Sequence, residues 1–165
     1  MTSRIKWLAA LAALVPGLAL AATATGNLSV SATVSDTCTV GTSSIDFGAY
    51  NPISGSARSG TGAVKVTCTT GTPYSIELGT GANTASCSGN RCMKDASTHY
   101  LPYELYLDSG HVTVWGGADY VAGTAKVSQT GTGAEQTHDL YGGIAASQNV
   151  PAGSYSDTVT ITISY

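Results

Sequence analysis

The stretch Val150–Tyr165, VPAGSYSDTVTITISY, decides how this 165-residue chain is read. From Tyr155 onward it alternates, with Val159, Ile161, Ile163 and Tyr165 on one side and Thr158, Thr160, Thr162 and Ser164 on the other. Period-two alternation of β-branched residues specifies a half-buried strand. Pro151-Ala152-Gly153 is a turn, and Tyr155 just after it fits a tyrosine corner, whose hydroxyl bonds the backbone of the turn. The sequence runs out on this strand, with no turn and no returning partner. The expectation is therefore a sheet that lacks the strand that would close it. Its open edge and apolar interior would need covering, since each buried unpaired backbone group costs on the order of 1–3 kcal/mol.

Working back from that strand, short alternating segments recur at the spacing of a sandwich or barrel. NLSVSATVS places Leu28, Val30, Ala32 and Val34 on one face, and SIDFG is a short edge piece. GAVKVTCT turns Val64, Val66 and Cys68 inward, and PYSIELG does the same with Tyr74, Ile76 and Leu78. YLPYELYLD sets Leu101, Tyr103, Leu105 and Leu107 against Pro102, Glu104 and Tyr106. Proline cannot donate to a ladder, so this strand lies at an edge or starts near Pro102. HVTVWG, a weak segment around Lys126 to Gln129, and AEQTHDLYGGIAA are further strand candidates. The total is roughly seven to nine strands, the size of an immunoglobulin-like sandwich in one domain.

The first residues carry a different signal. Arg4 and Lys6 precede an apolar run, Trp7 to Leu20, broken only by Pro16 and Gly17, and Ala19-Leu20-Ala21 fits a peptidase site. This pattern predicts a secretory signal peptide over residues 1–21, too short and alanine-rich for a stable membrane anchor. Without Arg4 and Lys6 the seven basic residues fall to five, against ten acidic ones. That balance argues against nucleic acid as a partner, because phosphate recognition needs clustered Lys and Arg.

Cys38, Cys68, Cys87 and Cys92 form an even set in an exported chain, which favours disulfides. Four cysteines allow three pairings; in one of them CSGNRC closes on itself and leaves Cys38 with Cys68. In the chain-entropy model such a long loop contributes about 3.5 kcal/mol and the short one about 2 kcal/mol. Zinc wants tighter Cys spacing with a second pair or histidines at fixed offsets, and no such pattern exists here.

Catalytic chemistry finds no foothold. His99, His111 and His138 are isolated in sequence, the carboxylates are dispersed, and no Gly-x-Ser-x-Gly elbow exists. QTGTGAEQ lacks the lysine and following helix of a phosphate loop. The sequence implies no cofactor and no catalytic residues. The nine tyrosines, with Trp115, could instead form a sugar-binding face, which would make the chain a monomeric secreted lectin-like module. Their alternation points several of them inward, which favours packing.

Read by itself, the segment holding Leu28, Val30, Ala32 and Val34 is the first strand of its own sheet. It could equally fill an open groove on a neighbouring molecule, burying apolar surface worth roughly 5–8 kcal/mol before ordering costs. Such a head-to-tail contact does not close on itself and so builds filaments.

CTV at 38–40, IDFGAYNP at 45–52, VKVTCT at 64–69, YSIELGTG at 74–81, LPYELYLD at 101–108, VWG at 114–116 and YGGIAASQNVPAGSYSDTVTITISY at 141–165 occur in this order. Together they resemble the spore coat protein U family, pilin subunits of the archaic chaperone–usher class. The resemblance implies an incomplete immunoglobulin-like sandwich lacking its final strand and completed by donor-strand exchange. It assigns residues 22–36 as the donor segment, with Leu28, Val30, Ala32 and Val34 as the donor side chains, and 37–165 as the pilin domain. Val159, Ile161 and Ile163 would line the acceptor groove. It implies a Cys38–Cys68 bridge, whereas a Cys87–Cys92 bridge rests mainly on spacing. The partners implied are sister pilin subunits, a periplasmic chaperone and an outer-membrane usher. The place implied is the surface of a Gram-negative cell, reached through the periplasm, where a fimbria would serve adhesion and biofilm formation.

Overall fold

The computed structural model describes residues 21–41, 43–120 and 122–165. The expected signal peptide lies outside the described residues except for Ala21. The chain separates into two units, Met1–Thr33 and Val34–Tyr165. In the first, residues 21–33 carry no strand or helix and are exposed, Leu28 by 87% and Val30 by 86%. Among the described residues, the alternation of this segment therefore does not produce a strand.

The second unit is built of β-structure with one short 3-10 turn, Thr84–Cys87. The strands are β1 (Cys38–Val40), β2 (Ile45–Asp46), β3 (Arg58–Cys68), β4 (Pro73–Leu78), β5 (Cys92–Lys94), β6 (Tyr100–Pro102), β7 (Glu104–Tyr106), β8 (Val127–Thr130), β9 (Glu135–Ile144) and β10 (Ile161–Ser164). One sheet runs β1-β3-β9-β7, with β2 following β1 on β3; a second runs β10-β4-β8; β5 and β6 form a two-stranded ribbon. The ladders between these strands are all antiparallel. The all-β sandwich expected from the sequence is the observed architecture.

The core follows from the alternation. Val64, Val66 and Cys68 of β3 face Tyr74, Ile76 and Leu78 of β4, joined by Leu105, Trp115, Leu140 and Ile144, and all of these are buried. The long β3–β9 ladder, from Arg58↔Ile144 to Thr67↔Glu135, is the backbone of the larger sheet. Near its Arg58 end, Gly60 opposes Gly142. A Cβ on Gly142 would stand 2.7 Å from Phe47 Cζ, so the bare backbone is what lets Phe47 lie flat on the sheet.

Pro102 has the predicted consequence in sharper form. With no N–H to give, it ends β6, and the chain changes partners: β6 pairs with β5, whereas β7 joins β9. Tyr103, between them, donates its amide to Arg91 O at 3.1 Å. Two expectations need correction. HVTVWG forms only single bridges, Val114 to Tyr106 and Trp115 to Ala125, because Asp108 draws the amides of Val112 and Thr113 into a tight turn. The final strand begins at Ile161 rather than near Tyr155, because Ser156 is already bridged to Lys94 and the chain joins β4 only beyond it. Tyr165 falls past the ladder and is 62% exposed, so it does not share the inward face of Ile163.

Where the second unit begins, several bonds tie it down. Asp36 accepts from the Thr72 hydroxyl at 2.5 Å, Thr37 O accepts the Thr69 amide at 2.9 Å, and a disulfide joins Cys38 to Cys68.

Candidate functional site

Along one side the two sheets part beyond the point where β1 nears β10. There the β2 edge of the larger sheet faces the β10 edge of the smaller, and an open groove of about 900 Å³ lies between them. One wall is the segment 43–50, with Ile45, Phe47 and Tyr50; the other is 150–159 followed by Ile161. Val64, Leu78, Leu101, Leu105, Leu140 and Ile144 make the floor.

Burial shows the opening at the level of single side chains. In the β10–β4 register Ile161 opposes Leu78 and Ile163 opposes Ile76. Leu78 and Ile76 are 2% and 0% exposed, yet Ile161, Ile163 and Val159 are only half-buried although they point the same way. Among the described residues β10 has a ladder partner on one side only. An apolar trough flanked by an unpaired strand edge is the surface that strand addition uses: main-chain bonds along the edge and alternate side chains in the floor.

The walls are fixed by polar contacts of their own residues. Tyr50 donates its hydroxyl to Ala145 O at 2.8 Å and accepts the Gln148 amide at 2.9 Å, buttressing the first wall. In the second, Tyr155 donates to Pro151 O at 2.9 Å, the tyrosine-corner bond expected from the sequence. Asp157 accepts from Ala82 N at 2.9 Å, Asn83 Nδ2 at 3.0 Å and the Tyr103 hydroxyl at 2.8 Å. Burial first, and then the bond to Asp157, raise the Tyr103 phenol well above its ordinary value, so it remains a donor. Gly81, at φ +86°, lies against the same carboxylate, and any Cβ there would collide with it. These three bonds fix the Asp157 carboxylate in the wall.

Of the sequence-predicted groove residues, Val159 and Ile161 line the second wall, whereas Ile163 packs half-buried against the core without lining the groove. The predicted donors Leu28, Val30, Ala32 and Val34 are exposed, Val34 by 82%. The cysteines are joined Cys38 to Cys68 and Cys87 to Cys92. The sequence reading missed the clamp on Asp157. It also missed Arg91, whose guanidinium is wholly buried, paired with Glu104 at 2.8 Å and set over the Tyr120 ring. The only cue was a lone arginine inside a cysteine loop, and nothing local says that such a charge goes inward.

The histidines have separate neighbours: His99 bonds Asp95 at 2.7 Å, His111 stacks on Tyr106, and His138 meets the Tyr74 hydroxyl at 2.9 Å. No group of three or more His, Cys, Asp or Glu that could hold a metal exists among the described residues. Tyr74, Tyr103 and Tyr120 are buried and the remaining tyrosines, Tyr165 apart, are half-buried, which is packing rather than a flat exposed platform.

Comparison with known proteins agrees with this geometry. The CsuC–CsuE chaperone–tip adhesion subunit pre-assembly complex, from the archaic chaperone-usher Csu pili of Acinetobacter baumannii, contains a chain with the same fold. The TM-score is 0.59 at 20% identity, covering 81% of this chain and 41% of that one, so this chain spans less than half its length. Protein U of Myxococcus xanthus is 37% identical over 159 residues, 88% of this chain and 87% of the relative. The family model described as Spore Coat Protein U domain matches residues 24–162, and the chain belongs to that family.

Proposed function

We propose that this protein is a structural subunit of a surface fimbria, polymerised by donor-strand exchange through a chaperone–usher pathway. The observation that carries the reading is a complementary pair on one chain. The second unit has an open apolar groove beside an unpaired strand edge, and residues 28–34 offer alternating apolar side chains to solvent. A long exposed apolar segment is an aggregation hazard unless something receives it. In this reading residues 22–36 of one subunit enter the groove of the next, with Leu28, Val30, Ala32 and Val34 directed at its floor and Val159, Ile161 and Ile163 beside them. The 37–165 domain is the body of the subunit.

The fold shared with a Csu pilus complex extends the reading to the partners: a periplasmic chaperone that covers the groove first, an outer-membrane usher, and sister subunits. Residues 1–21 direct export, and the assembled fimbria stands on the surface of a Gram-negative cell, where it serves adhesion and biofilm formation. The residues that do this work are packing residues; no catalytic step is involved.

The test is Val30→Asp and Val34→Asp, singly and together, in the exported protein. A carboxylate pressed into an apolar floor costs several kcal/mol or forces the strand out. The expected result is loss of SDS-resistant polymer with normal amounts of periplasmic monomer. Unchanged polymer would sink the proposal.

A further inference from the structure

Two hydrogen-bonded arms run from the Cys87–Cys92 loop to the groove wall that leads into β10. In the first, Asn83 Nδ2 donates both to Cys92 O at 3.3 Å and to Asp157 Oδ1 at 3.0 Å, while the neighbouring Ala82 amide donates to the same oxygen at 2.9 Å. In the second, Arg91 donates from Nε and Nη2 to Gly79 O at 2.9 and 2.7 Å, and from Nη2 to Leu78 O at 2.9 Å. Gly79 in turn donates its own amide to Thr160 O at 2.9 Å. Arg91 Nη1 pairs with Glu104 at 2.8 Å, which roots this arm in β7. The arms reach the wall at Asp157 and Thr160, on either side of Val159.

We propose that the Cys87–Cys92 loop is a positioning device for the groove, with Asn83 and Arg91 as its positioning residues and the disulfide as the element that holds them in place. The loop between the cysteines contains Ser88 and Gly89, both at positive φ (54° and 87°), so an open chain here has wide freedom. The bridge removes that freedom on the residue next to Arg91. A guanidinium stays buried only while its acceptors are all in reach; if the loop loosens, the charge moves to water and releases the Leu78 and Gly79 carbonyls. The Gly79–Thr160 contact and the Asp157 clamp then lose their footing, and the wall drifts from the spacing a strand needs. The other disulfide joins β1 to β3 and takes part in neither arm. The consequence for strand uptake rests on the donor-strand reading; the ordering of the wall does not.

The experiment uses the purified exported chain with Cys87→Ser/Cys92→Ser. Amide hydrogen exchange is followed at Gly79 and Ala82, and binding of a synthetic peptide of residues 26–36 is measured alongside. Exchange at Gly79 and Ala82 should quicken at least tenfold while the β3–β9 amides keep their protection, and peptide affinity should fall at least tenfold. Unchanged exchange at both amides overturns the proposal. If the β3–β9 amides also lose protection, the fold itself has gone, and Asn83→Ala, which keeps both bridges, decides. It should quicken Ala82 with the β3–β9 ladder intact, and an unmoved Ala82 refutes the positioning role. Should the unaltered chain not bind the peptide, the donor-strand reading falls, while the exchange result still decides the role of the loop.

Discussion

At the scale of single residues, His138 is a side chain whose charge is coupled to folding near neutral pH. Its Nε2 lies 2.9 Å from the Tyr74 hydroxyl, with the rings edge to face. Partial burial pushes the imidazole below its ordinary value of 6.5, and the Asp139 carboxylate only partly offsets this. The folded protein therefore holds a neutral ring at a pH where the unfolded chain already takes up a proton. Stability is intact above about pH 6.5 and is lost as pH falls through that value toward the folded pKa. Thermal melts at successive pH values should show the midpoint dropping in this window, and His138→Gln should flatten that part of the curve. A drop of equal size in the variant would exclude His138 as its source. Asp95 and Asp108, both held below the usual carboxylate value by hydrogen bonds, to His99 and to the Thr113 amide respectively, act only in a more acidic window.

At the scale of elements, β10 is the strand that reports the state of the groove. Ile161 and Ile163 have full partners in β4 and an uncovered flank, whereas Ile76 is enclosed on all sides. Truncating a fully buried isoleucine costs about 2–5 kcal/mol, and a half-buried one proportionately less. Ile76→Ala should therefore cost clearly more than Ile161→Ala in denaturant unfolding of the free subunit. Adding a saturating donor peptide should raise the cost of Ile161→Ala toward that of Ile76→Ala; a gap that peptide leaves unchanged would show that the trough is not where the strand lies. The alternation that made this element legible in VPAGSYSDTVTITISY is a local property, and so were β3, β4 and β9. Its true start was not legible, because Asp157 and Ser156 are held by Asn83, Tyr103 and Lys94, far away in sequence. The same distance hid the first wall: Ile45 and Phe47 look like any short edge piece until Gly60 and Gly142 are seen to clear a seat for them.

At the scale of the whole molecule, the sequence announced an all-β sandwich, since period-two patterning and a shortage of charge survive any error in strand boundaries. It did not announce how the parts are tied together. Arg91 with Glu104, and Tyr120 with the same carboxylate, are contacts between segments that no periodicity connects. The Cys38–Cys68 bridge spans 30 residues. Replacing both cysteines with alanine should lower unfolding stability by about 3.5 kcal/mol in the chain-entropy model, measured by denaturant titration. A loss near zero would mean that residual structure already restricts the unfolded chain as tightly as the bridge does.

The position of that bridge has a mechanical consequence. If residues 22–36 are the link between subunits, every newton drawn along a fimbria enters the domain at Asp36 and Thr37. The hydrogen bonds there, one between Asp36 and Thr72 and three between Thr37 and Thr69, would be the first to feel the tension. Immediately behind them Cys38 hands the pull across a covalent bond to Cys68, at the end of the longest strand in the molecule. The short β1 is thereby bypassed, because the pull reaches β3 through sulfur rather than through the β1–β3 ladder.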